Sequence, residues 1–568
     1  MRRDLLIGAL LLATSTAAAA PTVIATRGPT LAKPRHDGAH ARVEVRASGV
    51  MRPAREAVGR REEPLTAEED TAKQIEKLLH GPLRYTNTGI YVADARTGEP
   101  MFAVNADDPL NPASNVKMIS TATALELMGP GFKYTTRLLG PEPDAQGTIH
   151  GNVYLLGTWD PTLVAADLDE LGAQLAARGV KALDGDVIVG TDPMRDGLFR
   201  AVVPIDIKAG APGEAPTATT VAGFDLVTFK IDAKTATTVQ RPHLTYTAES
   251  IKDAAGHARL ELSIHGTLGK GGATTYSLVV KERTFVAAHV LRASLHAHQI
   301  AVAGDVSTEE LGDFIGDAAG KGGLPVELAR HESMALSDII TRVNKWSINW
   351  LADRVIMTTT ALAHREPPSM DRALEAMYGW LARHPHVDKA DALLDSGSGL
   401  SYHTRISARE LVAVLRSAAG FSIDGDVTAG SAWLGSLSIG GTDGTLGRRF
   451  RTPEVKGHLH AKTGTLSTVI ALTGVLDFDP QRPLAFSIVT NGDRPLQKGY
   501  VRRAHEQLVG LLVKYLAKTA KTPVPTVAPQ LPTTLPTNLL APTTKSPVNE
   551  DLDEEPEAPL DDGAPPKQ

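Results

Sequence analysis

Around residues 116–128 nearly every position able to be apolar is apolar: Val116, Met118, Ile119, Ala122, Ala124, Leu125, Leu127 and Met128 leave almost no polar face. Apolarity on all sides predicts a helix buried in a core, where a surface helix would show a single stripe. Gly129 and Pro130 predict where it stops. Upstream, Thr66-Ala67-Glu68-Glu69 has the spacing of a capping box and predicts a helix to about residue 79. Apolar runs at 89–94 and 101–105, separated by Ala95-Arg96-Thr97-Gly98, predict a hairpin.

From about residue 135 the texture changes. Gly, Thr and Asp rise, short strands are predicted at 153–156 and 186–189, and one helix at 168–177. Alternation of apolar and polar positions at 224–231 and 260–264 predicts further strands, so the stretch to about 321 reads as a mixed, β-rich insertion. Helical periodicity returns at 337 and predicts one helix running through Ser347 to about 363. Further helices are predicted at 370–383 and, from the capping box Ser407-Ala408-Arg409-Glu410, to 418. Strands are predicted at 459–463, 469–478 and 484–490, and an amphipathic helix at 497–516 closes the ordered part. No internal repeat recurs at a fixed period.

Length and composition narrow the class. A chain of 568 residues with 42% hydrophobic and 22% charged residues has room for several folding units. A net charge of −6 argues against a nucleic-acid binder. The absence of cysteine removes disulfides, thiol catalysis, zinc–cysteine sites and a lipid anchor through an N-terminal cysteine. Arg2 and Arg3 precede an apolar run at 5–13 and small residues to Ala20, which predicts a secretory signal peptide at 1–19, cleaved after Ala19. No other run approaches the ~18 apolar residues that span a bilayer. The expected product is exported and soluble, without a stable membrane anchor, and fits a bacterial cell envelope. Residues 20–65, rich in Arg, Ala, Pro and His, predict a disordered linker, and the Pro/Thr-rich acidic stretch 518–568 a disordered tail.

Candidate chemistry begins at the buried helix. Ser114 and Lys117 stand three apart at its start, so their side chains share one face. An amine at the buried edge of such a helix is desolvated, which favours its neutral form and lets it act as a base toward the serine hydroxyl. Two further short motifs follow in order, Ser347-Ile348-Asn349 in the long helical stretch and Lys462-Thr463-Gly464-Thr465 at the end of a strand.

The order Ser-x-x-Lys, Ser-x-Asn, Lys-Thr-Gly resembles that of penicillin-binding proteins and class A β-lactamases. The chain is most similar to the class C, low-molecular-mass penicillin-binding proteins, the D-Ala-D-Ala carboxypeptidases/endopeptidases of peptidase family S13. The long spacer between Ser114 and Ser347 favours that subfamily, as do Asp160-Pro161-Thr162-Leu163, Asp395-Ser396-Gly397-Ser398-Gly399-Leu400 and Thr442-Asp443-Gly444-Thr445-Leu446. The resemblance spans about 66–517. It implies an α+β fold: a transpeptidase-like domain, an antiparallel sheet flanked by helices, built from 66–140 and 329–517. The part between, 141–328, is implied to hold one or two small inserted domains, with an inner one at about 205–272.

By resemblance, Ser114 is the nucleophile and Lys117 its base, with Lys462 opposite as a second ammonium lowering the Lys117 pKa further. Ser347 relays a proton to the leaving amine, and Asn349 holds Lys117 and the substrate backbone. The backbone N–H groups of Ser114 and Thr465 form the oxyanion hole. Lys462, Thr463 and Thr465, with Gly464 between them, bind the substrate carboxylate. The implied substrates are peptidoglycan stem peptides, β-lactams are implied covalent inhibitors, and the implied place is the periplasm. No metal or organic cofactor is implied, and the residues leave the oligomeric state open. In two places the chain departs from the family pattern: Ile348 stands where Asp is common, and Tyr402 where some relatives carry a basic residue. Competing readings are a β-lactamase-like hydrolase, a non-catalytic interaction protein of the same fold, and a metallopeptidase using His296 and His298 or His458 and His460. A class A β-lactamase would need a Glu-x-x-Leu-Asn segment, which the chain lacks.

Overall fold

Strands from the two ends of the described chain meet in one sheet. The computed structural model describes residues 65–190, 201–220, 224–280, 283–309, 325–421 and 427–520, so the expected signal peptide, nearly all of the linker and most of the tail lie outside the described residues. Six strands lie in the order Ser438–Ile439, Leu459–Thr465, Val469–Leu476, Leu484–Asn491, Asn87–Asp94, Pro100–Val104. All neighbours are antiparallel, and Asn87–Asp94 pairs with Leu484–Asn491 over its whole length. Val469–Leu476 is central and buried at every position, which is why it reads as an unbroken apolar run and not as an alternation.

The helix Lys117–Met128 forms as predicted and stops at Gly129, whose φ of 78° a side chain would oppose. It packs among Leu336–Trp346, Asn349–His364, Met370–Arg383 and Ala408–Ala418. Ala471, Val475, Ala485 and Val489, alternate residues of two central strands, join the same core. Both capping boxes are present: Thr66 and Glu69 bond each other's backbone N–H, as do Ser407 and Glu410. The helix Lys498–Thr519 packs on Ala67–His80, and its Tyr515 meets Phe102 edge-on at 5.5 Å. It runs past the predicted end: Lys518, expected to open the tail, is helical and donates to Asp70 at 2.7 Å.

Between these halves stands a second set of sheets with its own core. Five strands lie in the order Val306–Glu309, Val187–Gly190, Val153–Leu156, Thr135–Gly140, Val326–Glu332, parallel among the first three and antiparallel thereafter. Three three-stranded sheets accompany it, one of Ala301–Val302, Ala182–Leu183 and Thr148–Ile149, one of Ala273–Val279, Val202–Lys208 and Thr217–Thr219, and one of Val227–Thr235, Ala258–Leu268 and His243–Lys252. Buried side chains from all four sheets form one cluster.

Two differences from the predicted elements have clear causes. The helix Arg283–Ala297 was not predicted; it is buried on most sides, so no amphipathic stripe marks it. The helix predicted through Ser347 is two helices, Leu336–Trp346 and Asn349–His364, with Ser347 between them in the left-handed conformation at φ 58° and ψ 37°. Buried Val343 and Leu351 stand eight residues apart, in phase with one continuous helix, so periodicity conceals the break.

Candidate active site

The serine turn is held in place before any chemistry is considered. Ala113–Val116 forms a short 3₁₀ turn ahead of the helix, entered through Ala113 at φ 47°. Asn111 Oδ1 accepts from the Ala113 N–H at 2.8 Å, and Asn115 Nδ2 donates to Thr473 Oγ1 at 2.9 Å. Glycine backbones close on the turn from two sides. A Cβ on Gly464 would lie 2.5 Å from the Pro112 carbonyl oxygen, and one on Gly399 would lie 2.2 Å from that of Ala113. Only a residue without a side chain fits at either position.

Lys117 is wholly buried behind this turn. Its Nζ donates to Ser114 Oγ at 2.9 Å, Asn349 Oδ1 at 2.6 Å and the Ser398 carbonyl at 2.7 Å. Three fixed acceptors hold one amine against the serine. Burial lowers its pKa to about 7, while the charge of Asp353 pulls it up. Asp353 is one helical turn beyond Asn349, lies beside Gly397, and is itself raised by burial.

Lys462 is equally buried, and its Nζ donates to Ser347 Oγ at 2.8 Å and to the Thr463 carbonyl at 2.9 Å. Its pKa lies well below the ordinary lysine value, first through burial and then through the charge of Lys117. Ser347 reaches this position because it sits in the break between two helices, not inside one. The Lys345 amine donates to Asp443 at 2.5 Å and to the Leu437 carbonyl at 3.1 Å, anchoring that break to the edge of the sheet.

All the predicted site residues therefore meet. Ser114, Ser347, Asn349, Thr463, Gly464 and Thr465 line one cleft of about 360 Å³, with Lys117 and Lys462 buried beneath its wall. The cleft has further walls that the motifs did not name. Thr445 accepts a hydrogen bond from Thr463 Oγ1 at 2.9 Å, and Arg502 donates to Thr465 Oγ1 at 3.2 Å. Arg449 lines the same end. Ser398 and Thr445 lie in segments already singled out as similar to the family. Arg449 and Arg502 carried no motif signal, since an arginine near a chain turn or on a helix is usually only surface. Tyr402 Oη and Ser467 Oγ, two residues beyond Thr465, are hydrogen-bonded at 2.7 Å.

Residues 71–197 and 198–515 match the family described as "D-Ala-D-Ala carboxypeptidase 3 (S13) family". The chain belongs to that family. Among curated relatives of this S13 protein, the D-alanyl-D-alanine carboxypeptidase of an Actinomadura species is 29% identical over 460 residues, which is 74% of this chain and 80% of that one. The D-alanyl-D-alanine carboxypeptidase DacB of Haemophilus influenzae is 23% identical over 457 residues, 76% of this chain and 89% of that one. In fold, it is similar to penicillin-binding protein 4 of H. influenzae, solved with a β-lactam: TM-score 0.58, 21% identity, covering 78% of this chain and 99% of that one. The α+β penicillin-binding fold with inserted β-rich regions follows. The S13 protein is a serine-type hydrolase of the D-Ala-D-Ala carboxypeptidase/endopeptidase class, and the β-lactamase-like alternative is not favoured.

The metallopeptidase histidines are placed differently. Among the described residues, the groups with three clustered metal-type donors are Asp225, His289 and Asp305, and Asp253, His257 and Asp305; neither includes His296, His298, His458 or His460. His458 and His460 both face Asp477, at 3.3 and 3.8 Å. No helix among the described residues is long and apolar enough to cross a membrane.

Proposed function

We propose that this protein cleaves the terminal D-Ala-D-Ala bond of peptidoglycan stem peptides, and D,D cross-links between them, through an acyl-enzyme on Ser114. The observation that carries the assignment is the three-way hold on the Lys117 amine, which sets it 2.9 Å from Ser114 Oγ with a pKa near 7. A neutral Lys117 takes the Ser114 proton as Oγ attacks the carbonyl carbon of the penultimate D-alanine. The backbone N–H groups of Ser114 and Thr465 receive the developing oxyanion, a contribution of about 10²–10³ in rate for each such donor. As the C–N bond breaks, the proton taken by Lys117 passes through Ser347, itself hydrogen-bonded to Lys462, to the departing amine, which leaves Lys117 neutral for the next step. Water then attacks the ester and regenerates Ser114, with Lys117 accepting and returning the proton.

Thr463 and Thr465 face the substrate's terminal carboxylate, and Asn349 binds its backbone while holding Lys117. Lys462 is fully buried and turned to Ser347, so the carboxylate role expected of it passes to the residues that line the cleft. β-Lactams acylate Ser114 by the same attack and leave slowly. Export to the periplasm is supported by the N-terminal apolar run and by the bacterial relatives. We also read 141–328 as an inserted region, with an inner domain at about 205–272, because its buried side chains cluster apart from those around Lys117.

The test uses pentapeptide monomers and cross-linked muropeptides, with products read by mass, and a fluorescent penicillin. Wild-type protein should release D-alanine or resolve the dimer and take the label covalently, while Ser114→Ala should do neither. Labelling of Ser114→Ala would end the nucleophile assignment.

A further inference from the structure

Outside the cleft, the surface around the start of the last helix carries more positive charge than its neighbours balance. Two chain segments meet there. The stretch 448–451 follows Thr445, which lines the cleft, and the stretch 492–503 follows the strand Leu484–Asn491. Arg449 Nε donates to Glu506 Oε1 at 2.7 Å, which ties the first segment to the helix Lys498–Thr519. The Gly492 and Leu496 N–H groups donate to the Thr468 and Ser467 carbonyls at 2.9 Å, which ties the second to the turn after Thr465. Together the segments expose Arg448, Arg451, Arg494, Lys498 and Arg503. None of these five has an ion-pair partner among the described residues, and the exposed acids beside them, Glu454 and Asp493, are outnumbered. The positive field reaches into the protein. After burial itself, the charge of Arg449 holds both Arg502 and His505 below their ordinary pKa values.

The same helix leads to a segment of opposite charge. Eight of the thirteen residues from Glu550 to Asp562 are acidic, and thirty residues separate them from Ala520 at the helix end. A helix of 22 residues is about 33 Å long, whereas thirty residues of extended chain reach about 100 Å. The acidic segment can therefore run back along its own helix to the cationic surface, where tethering gives it an effective concentration of order mM. We propose that residues 550–562 dock on the surface formed by 448–451 and 494–503, as an internal polyanion that competes with carboxylate-bearing substrates at the neighbouring end of the cleft. The competition rests on the D,D-peptidase reading above; the docking does not. A run of carboxylates meets unpaired cations through many weak, solvent-exposed contacts, so the hold is a sum that salt screens and loosens.

A zero-length carbodiimide, which joins a carboxylate to an amine, reads the contact in the full chain. At about 20 mM salt, residues 550–562 should be joined to Lys498 of the same molecule, and about 0.5 M NaCl should cut that yield about tenfold. Arg451→Gln combined with Arg503→Gln should cut it several-fold at low salt; both side chains are exposed and unpaired, so the fold is undisturbed. A full chain with every Glu of 550–562 changed to Gln and every Asp to Asn should hydrolyse N-acyl-D-Ala-D-Ala with kcat/KM about threefold higher at low salt, through a lower KM. At about 0.5 M NaCl the two proteins should be equal. The p-nitrophenyl ester of N-acyl-D-alanine, which carries no carboxylate, should be turned over by both within about twofold. Cross-links that reach other lysines in place of Lys498, or that form only between molecules, overturn the docking. An acid-peptide KM unmoved by the neutral tail overturns the competition. A wild-type protein inert toward the ester would instead overturn the acyl-enzyme reading, and the cross-link map would still decide the docking.

Discussion

Two clusters of buried charge, one in the catalytic half and one in the inserted region, solve opposite problems. Beneath the cleft, the buried amines of Lys117 and Lys462 are hydrogen-bonded to hydroxyl and carbonyl oxygens, so burial itself drives them toward neutrality. In the insertion, buried charges are matched. Arg259 donates to Asp305 at 2.6 Å and lies 3.2 Å from Asp253, while Arg292 bridges Asp225 and Asp305 at 2.5 and 2.8 Å. There the partners hold Asp225 and Asp305 below the usual carboxylate range, keeping the ions as ions. In the proposed mechanism the buried cations act as reagents where little charge opposes them, whereas in the insertion cancelled charges act as struts.

That contrast can be broken from either side. The largest effect should come from Lys117→Ala, which removes the proposed base and should slow acylation by a fluorescent penicillin by about 10²–10⁴-fold with little change in thermal midpoint. Full acylation at neutral pH in that variant would mean the amine is not a reagent. Arg259→Met in the insertion should do the reverse. It strips a bonded partner from a nearly buried carboxylate and should cost about 3 kcal/mol in chemical denaturation, while the acylation rate of the folded protein stays at wild type. A loss of activity without a loss of stability would reverse the assignment of strut and reagent.

Titration should show a smaller effect. In the proposed mechanism Lys117 must be neutral to accept the serine proton, and with burial lowering its pKa to about 7, acylation should rise with pH and level off above it. Below that point the rate should fall about tenfold for each pH unit. A flat profile from pH 5 to 8 would exclude Lys117 as the titrating base. Asp353→Asn should give the smallest change. Asp353 holds the Lys117 pKa up, so its removal moves the acid limb to lower pH, and at pH 6 the variant should acylate about threefold faster relative to its own plateau. Movement of the limb to higher pH would contradict the sign.

The reactive cluster was far more legible in the sequence than the structural one. Ser114, Lys117, Ser347, Asn349 and Lys462 occur in short motifs whose spacing survives without knowledge of the fold. Arg259 and Asp305 belong to segments of different sheets that meet only when the insertion folds, and nothing local marks them. The elements follow the same rule. Capping boxes at Thr66 and Ser407 and glycine at 129 announce themselves through nearest-neighbour chemistry. The break at Ser347 does not, because it keeps the helical phase on both sides and needs neither Gly nor Pro. Arg449 and Arg502 were invisible because an arginine outside any short motif reads as surface, and only the fold brings these two to the cleft.

Gly399 and Gly464 press bare backbone onto the serine turn from two sides. This leaves little room for evolved resistance to β-lactams at the floor of the cleft. A lineage under antibiotic selection cannot thicken either wall by a single methyl group without dislodging Ser114 and the enzyme's own reaction with it. Tolerated escape changes should therefore accumulate away from these two glycines.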